Sequence, residues 1–178
     1  MAAVTLFHGT RKSALAPILA AGFHVEEAHT CPPPCRCGML GPGVYLAEAD
    51  KASSNAGRAA GAEAAPYARG GRDPVVEGVV LECAVDLGRC AVLSLESECG
   101  CCGRRGGVDH AGTWAAAHDS AFLRGGGPAA KRAEWCVRDP ARVRVTAYYV
   151  VRWTARSRHF VARGPRVPVH NPLPPPEA

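Results

Sequence analysis

Three residues that lie far apart in the chain carry side chains suited to chemistry on a small ligand: His8, Tyr45 and Glu134. His8 follows residues 4–7, whose β-branched and aromatic side chains predict a strand. Gly9 comes next, and its missing Cβ leaves backbone N–H and C=O groups open to a ligand. Taken alone, this stretch favours a plainer interpretation, in which the strand ends in a turn and His8 is a surface histidine with satisfied hydrogen bonds.

The other two residues change that interpretation. Tyr45 comes just after a glycine-rich turn at residues 41–43, and Glu134 opens a short strand-type run at residues 134–137. A site that cleaves a nicotinamide glycoside needs this combination. The flat ring needs an aromatic face, the ribose hydroxyls need a hydrogen-bonding side chain, and a carboxylate stabilises the oxocarbenium-like state.

Five short motifs occur in an order that resembles the His-Tyr-Glu class of ADP-ribosyltransferases, the catalytic domain of the poly(ADP-ribose) polymerase superfamily. They are FHGT at residues 7–10, GMLGPGVYLA at 38–47, VVLECAVDLGR at 79–89, HDS at 118–120 and EWCV at 134–137. Each motif is short, but their common order argues against a chance match. The cysteine-bearing insert before residue 38 is similar to that of the Gig2-like interferon-induced fish proteins and of the domain at the end of a neuralized-type protein.

The resemblance implies a site for the nicotinamide of NAD. Backbone groups of Gly9 would clamp the carboxamide, and the ring of Tyr45 would stack on the nicotinamide. Ser53 matches the family serine that bonds the same carboxamide. The family also places a second stacking tyrosine three residues after that serine, where this chain has Ala56. Either Tyr67 replaces it, or NAD is held by one aromatic face.

The same resemblance assigns the ribose and the reaction. His8 would hydrogen-bond the ribose 2′-hydroxyl, Thr10 would join the NAD-binding residues, and Glu134 would position the ribose and stabilise the developing cation. The implied activity is transfer of a single ADP-ribose to a protein or nucleic-acid acceptor, because residues 96–132 differ from the polymerase segment that guides a growing chain. Two alternatives stay open: an NAD glycohydrolase, and a non-catalytic module that binds ADP-ribose or a protein.

The nine cysteines are an odd number, and the first residues of the sequence lack the basic-then-apolar pattern of a signal peptide, so we expect a disulfide framework to be the weaker interpretation. Six of them fall in two short groups: Cys31, Cys35 and Cys37, and then Cys99, Cys101 and Cys102. Zinc takes four nitrogen or sulfur ligands, often as two close pairs, so the groups predict a structural zinc. The predicted ligands are Cys35, Cys37, Cys99 and Cys101. Loop disulfides and free thiols are the alternatives.

The elements that must position these residues predict a strand-dominated α+β domain with mixed sheets and few short helices, which is also the ADP-ribosyltransferase fold that the resemblance implies. Helices are predicted at residues 11–21 and 51–60, and long strands at 75–85, 87–95 and 143–153. Residues 96–127 lack periodicity and predict an irregular excursion. Cys83, Cys90 and Cys136 lie in apolar runs and are predicted to be small core residues. A catalytic domain over residues 1–163 would precede a proline-rich extended tail over 164–178.

Composition limits the class of protein. With 178 residues and 47% hydrophobic side chains, the chain suits one globular domain. No apolar run reaches the ~18–20 residues of a membrane span, so we expect an intracellular protein without a membrane partner, or a domain of a larger one. From Arg124 onward there are eleven Lys or Arg and three acidic residues. That excess suits an anionic partner such as nucleic acid, although a solvated basic surface is the plainer interpretation.

Overall fold

A computed structural model describes residues 3–25, 40–64, 73–93, 112–125, 132–154 and 159–170. The chain divides into two compact units. The first unit comprises Met1–Val4, Phe23–Leu46 and Val85–Val143, and the second comprises Thr5–Gly22, Ala47–Ala84 and Arg144–Ala178. Each unit contains its own β-sheet.

The described residues form nine strands and two α-helices. The strands are β1 Val4–Arg11, β2 Val44–Leu46, β3 Val75–Val85, β4 Cys90–Leu93, β5 Ser120–Leu123, β6 Glu134–Val137, β7 Val143–Thr154, β8 Phe160–Arg163 and β9 Val167–Pro168. The helices are α1 Leu15–Ala21 and α2 Ala49–Ala64, and short 3-10 turns include Lys12–Ala14, Thr113–Ala116 and Pro140–Arg142. This strand-rich arrangement in two sheets confirms the predicted α+β class.

The sheet of the second unit has the strand order β1-β3-β7-β8, with β9 also paired to β7. Two glycines let α2 lie directly against its strands. A Cβ on Gly9 of β1 would overlap the carbonyl group of Ala52. A Cβ on Gly78 of β3 would lie 2.6 Å from the carbonyl oxygen of Ala56. Helix and strand backbones therefore touch, and Ala52 and Ala56 are completely buried beside Val80.

The helix predicted at residues 11–21 is confirmed as a 3-10 turn followed by α1. Pro17 lies in the first turn of α1, where a missing N–H removes no intrahelical hydrogen bond. Gly22 ends the helix with φ 78°, and its N–H donates to the Ile18 carbonyl at 2.8 Å. The second helix is longer than predicted. Asp50 lies in its first turn, where a negative charge interacts favourably with the helix dipole.

The chain after β7 returns along the same strand. β8 pairs with the end of β7, with Val151 opposite Arg163, and β9 pairs with its middle, with Ala147 opposite Pro168. Between them the N–H of Gly164 donates to the carbonyl of Val150 at 2.7 Å. The predicted proline-rich tail thus begins within the sheet. Residues 171–178 lie outside the described part, and the boundary at residue 163 stays a prediction.

The sheet of the first unit has the strand order β2-β6-β5-β4. β6 is antiparallel to both of its neighbours, and β4 is parallel to β5. One face carries a hydrophobic cluster in which Leu40 and Trp114 pack with Ala121, Leu123 and Cys136. The indole Nε1–H of Trp114 donates to the Leu40 carbonyl at 2.7 Å, which fixes the segment before β2 against the Thr113–Ala116 turn.

The motif at residues 118–120 holds the connection between β3 and β4. The carboxylate of Asp119 accepts the backbone N–H of Arg89 at 2.8 Å, and its other oxygen lies 3.2 Å from the guanidinium of Arg142. The hydroxyl of Ser120, completely buried, donates to the Leu87 carbonyl at 2.6 Å. These contacts give this motif a structural role in the first unit.

Two predictions from periodicity differ from the structure. The strands expected at residues 75–85 and 87–95 do follow one another, but the second begins at Cys90 rather than Leu87. The two strands belong to different sheets. The irregular excursion expected over residues 96–127 is wrong for residues 113–123, which form a 3-10 turn and β5. None of the described helices is both long and apolar enough to cross a membrane.

Candidate active site

Tyr45 and Glu134 lie on one face of the sheet in the first unit. Tyr45 of β2 is directly opposite Cys136 of β6. Because side chains alternate along a strand, Glu134 projects from the same face as Cys136. Tyr45 and Glu134 are therefore diagonal neighbours across an antiparallel pair, a position in which two residues typically lie about 7–8 Å apart. An aromatic ring and a carboxylate at that spacing can contact two parts of one small ligand.

The phenol of Tyr45 is fixed by the turn that precedes its strand. Its hydroxyl donates to the Gly41 carbonyl at 2.7 Å and accepts the Leu40 N–H at 2.8 Å. Burial raises the pKa of Tyr45 far above its ordinary value of 10, and the negative charge of Glu134 adds to that rise. The raised pKa keeps the phenol neutral, and the two hydrogen bonds hold it in one orientation. The residue is half-buried, so part of its surface stays accessible.

Glu134 is one of two buried polar side chains among the described residues, with 8% of its surface exposed. It opens β6 opposite Leu123 of β5, so its direct neighbour across this strand pair is apolar. A carboxylate in such surroundings interacts strongly with a positive charge that develops nearby, because little water screens it. This environment suits the stabilisation of a cationic transition state.

Cys136 lies on the same face as these two residues. The sequence predicted it only as a small core residue. It is completely buried, as expected, and it also contacts the turn that carries Tyr45. Its thiol donates to the Pro42 carbonyl at 3.7 Å. The sequence could have linked Cys136 to the site, because residues two apart in a strand project from the same face and Cys136 follows Glu134 by two.

The remaining predicted residues belong to the second unit. His8, Gly9 and Thr10 lie in β1 and are half-buried. Gly9 touches α2 at Ala52, the residue before Ser53, so the structure brings this strand and this helix together. Ser53 is itself partly exposed on α2. The convergence of these residues with Tyr45 and Glu134 on one ligand stays a prediction.

Ala56, which stands where the family has its second tyrosine, lies at the contact between α2 and β3. Ala56 is completely buried, and its Cβ lies 3.0 Å from the place of a Cβ on Gly78. A tyrosine side chain there would require α2 to move away from β3. Tyr67, the predicted substitute, lies outside the described residues.

The predicted zinc ligands Cys35, Cys37, Cys99 and Cys101 also lie outside the described residues. Within the part of the chain that the structure describes, no group of three or more His, Cys, Asp or Glu side chains is arranged to hold a metal. Cys83, Cys90 and Cys136 are free thiols. Of these, Cys83 and Cys136 are completely buried, as predicted for core residues. Cys90 is only partly buried, so the prediction is wrong for this residue, which opens the edge strand β4.

Comparison with known proteins identifies one family. The family model of the poly(ADP-ribose) polymerase catalytic domain matches residues 1–105. That range includes His8, Tyr45 and Ser53 and ends before Glu134. No curated protein matches the chain significantly.

Proposed function

Because the chain belongs to the poly(ADP-ribose) polymerase catalytic-domain family, whose enzymes take ADP-ribose from NAD, we propose that it is an NAD-dependent mono-ADP-ribosyltransferase. In this reaction the bond between ribose C1′ and the nicotinamide nitrogen breaks, and nicotinamide leaves with the bonding electrons. An acceptor nucleophile then bonds to C1′ and loses a proton. The observation that carries the proposal is the placement of Tyr45 and Glu134 on one face of one sheet.

Glu134 stabilises the developing positive charge on the ribose and accepts a hydrogen bond from its hydroxyl. Its burial supports this role, since a preorganised carboxylate away from water acts more strongly on a nearby cation. His8 hydrogen-bonds the ribose 2′-hydroxyl, and Thr10 contributes to NAD binding. These assignments follow the family motif at residues 7–10 and position 134.

The nicotinamide ring stacks on Tyr45, and its carboxamide bonds the backbone of Gly9 and the hydroxyl of Ser53. The two hydrogen bonds of the Tyr45 hydroxyl support this role, because a ring fixed before binding loses less conformational entropy on binding. With Ala56 buried against the sheet, this residue supplies no second aromatic face. We therefore expect weaker NAD binding than a two-sided ring sandwich would give.

The acceptor decides between the remaining alternatives. A single transferred unit is proposed because residues 96–132 differ from the segment that guides a growing polymer. An NAD glycohydrolase would use the same donor site with water as acceptor. The buried carboxylate beside the fixed tyrosine favours an enzyme over a module that only binds ADP-ribose. A closer relation to the Gig2-like and neuralized-type domains, and an intracellular location, stay predictions.

The test is release of nicotinamide from NAD labelled in the adenylate part. We expect wild-type protein to release nicotinamide and to place label on protein or nucleic acid. Glu134→Gln should lower the rate by about 10²–10³-fold, the usual loss when an electrostatic group of an active site is removed. Glu48→Gln is the matched control, because Glu48 is an exposed glutamate in the same stretch as Tyr45.

Three outcomes separate the alternatives. Label on a macromolecule supports transfer, whereas free ADP-ribose with unlabelled macromolecules supports the glycohydrolase. No nicotinamide release from folded wild-type protein would overturn both enzymatic proposals. If that protein binds ADP-ribose but releases no nicotinamide from NAD, it is the non-catalytic module.

We also propose that the two cysteine groups bind one structural zinc. The support is their number and spacing, since short cysteine groups on two segments fit the tetrahedral demand of zinc. Such a site would tie the segments before β2 and after β4, with no part in the reaction. Elemental analysis of the purified protein tests this proposal.

A further inference from the structure

The thiol of Cys136 supports the turn that carries Tyr45. A Cβ on Gly43 would overlap the Cys136 sulfur and lie 2.8 Å from the Val137 carbonyl oxygen. The turn therefore rests on β6 without an intervening side chain, and the thiol donates to the neighbouring Pro42 carbonyl at 3.7 Å. Any change in the volume of residue 136 must move this turn or leave a gap under it.

The same turn fixes the tyrosine ring. The Tyr45 hydroxyl donates to the Gly41 carbonyl at 2.7 Å, one residue before Pro42. Tyr45 is also directly opposite Cys136 in the strand pair. The thiol thus touches both the turn and the strand from which the ring projects. A displacement at residue 136 is passed to the ring along two short connections.

Cys136 makes these contacts as a neutral thiol, which is a poor nucleophile. Burial raises the pKa of its thiol to about 12, the neighbouring Tyr45 side chain partly offsets that rise, and the charge of Glu134 adds to it. At neutral pH the side chain is therefore an uncharged group of fixed size. It introduces no second negative charge beside Glu134, two residues away on the same face.

From these contacts we infer that Cys136 is a positioning residue, whose volume sets the separation between the Tyr45 ring and the Glu134 carboxylate. The inference rests on the proposed function and deepens it. NAD binds in the ground state through several contacts. A wrong distance between the Tyr45 ring and the Glu134 carboxylate weakens only some of them. The transition state needs the stacked nicotinamide and the carboxylate together. Misplacement should therefore lower kcat more than it raises KM.

Three variants test this with nicotinamide release as the assay. Cys136→Ala leaves a gap below the turn, and we expect kcat to fall about tenfold or more while KM for NAD stays within about threefold. Cys136→Ser keeps a small neutral donor and should retain kcat within about threefold. Cys136→Val adds a methyl group where the turn passes at Gly43, so it should lose kcat as the alanine variant does.

Cys83→Ala is the matched control. Cys83 is also completely buried in a strand, its thiol donates to a backbone carbonyl at 3.8 Å, and burial raises its pKa to about 12. It lies in β3, which belongs to the sheet of the second unit and not to that of β2 and β6. We expect thermal stability to fall in both alanine variants and kcat to fall in Cys136→Ala alone.

The outcomes separate this inference from the proposed function. Wild-type protein without nicotinamide release overturns the proposed function and the inference with it. An active wild type with kcat of Cys136→Ala within threefold, or an equal fall in Cys83→Ala, overturns the inference alone. If Cys136→Ala lacks a cooperative thermal transition, the serine and valine variants decide. A serine variant more active than the valine variant supports the positioning role, and equal rates refute it.

Discussion

Glu82 holds the returning C-terminal segment on the sheet of the second unit, and its removal should cost measurable stability. One carboxylate oxygen accepts the Tyr149 hydroxyl at 2.8 Å and the Arg166 Nε–H at 3.0 Å. The other accepts the Arg166 Nη2–H at 2.6 Å. Arg163 also stacks over the Tyr149 ring, with its guanidinium carbon 3.7 Å from the ring centroid. The perturbation is Glu82→Gln, which keeps the shape and removes the charge.

The expected loss follows from the pKa of Glu82. The paired Arg166 lowers it most, burial opposes this, and Tyr149 lowers it further, so it falls from 4.5 to about 2. At 1.36 kcal/mol per pKa unit this corresponds to about 3 kcal/mol. Arg166 is about half exposed, with 47% of its side-chain surface accessible, and solvent screens the pair. We therefore expect a loss of about 1–2 kcal/mol at pH 7.

The sign gives a pH dependence. A carboxylate with a lowered folded-state pKa contributes all of its stability above the ordinary value of 4.5. The contribution decreases as the pH falls below 4.5 and is lost below about pH 2, the folded-state pKa. The stability difference between wild type and Glu82→Gln should thus be largest at pH 7 and shrink at pH 3.

Urea unfolding at both pH values measures this, and urea is chosen because it adds no ionic screening. Glu77→Gln is the matched control on the same strand. Glu77 pairs with Lys12 at 2.6 Å and Arg152 at 3.0 Å, but both partners are 58% exposed. Such surface pairs contribute only a few tenths of a kcal/mol. A Glu82→Gln variant as stable as wild type at pH 7, or one with the same deficit at pH 3, would refute the reasoning.

Three further predictions concern packing, the tyrosine and metal. Gly78→Ala should destabilise the protein by about 1–3 kcal/mol, because the new methyl group meets the backbone of α2 at Ala56; an unchanged thermal midpoint would contradict this. Tyr45→Phe should lose about 1–2 kcal/mol in urea unfolding, since the hydroxyl bonds of Leu40 and Gly41 are broken. KM for NAD should rise slightly in Tyr45→Phe, whose ring is no longer fixed by the hydroxyl, and severalfold in Tyr45→Ala; equal values would remove the stacking role. Elemental analysis should find about one zinc per chain, lost when both cysteine groups are changed to serine, and metal-free protein would exclude the site.

The sequence alone determined the local elements and the residue types of the site. Residues 4–7, 75–85, 134–137 and 143–153 are strands as their side chains predict, and both predicted helices are present. These features depend on side-chain shape and backbone preference over a few residues. The motif order also led to the family that the comparison identifies.

Only the tertiary structure decided which strands share a sheet and which side chains share a face. Pairing between distant segments forms β5 and puts β3 and β4 in different sheets. It also places Cys136 on the face that carries Tyr45 and Glu134. A shift of one residue in the β2–β6 register would put Tyr45 on the face opposite Glu134. That register is stabilised by contacts such as Gly43 on Cys136, which join residues more than ninety positions apart. Local preference carries no information about such contacts, because their energy appears only once the chain has folded.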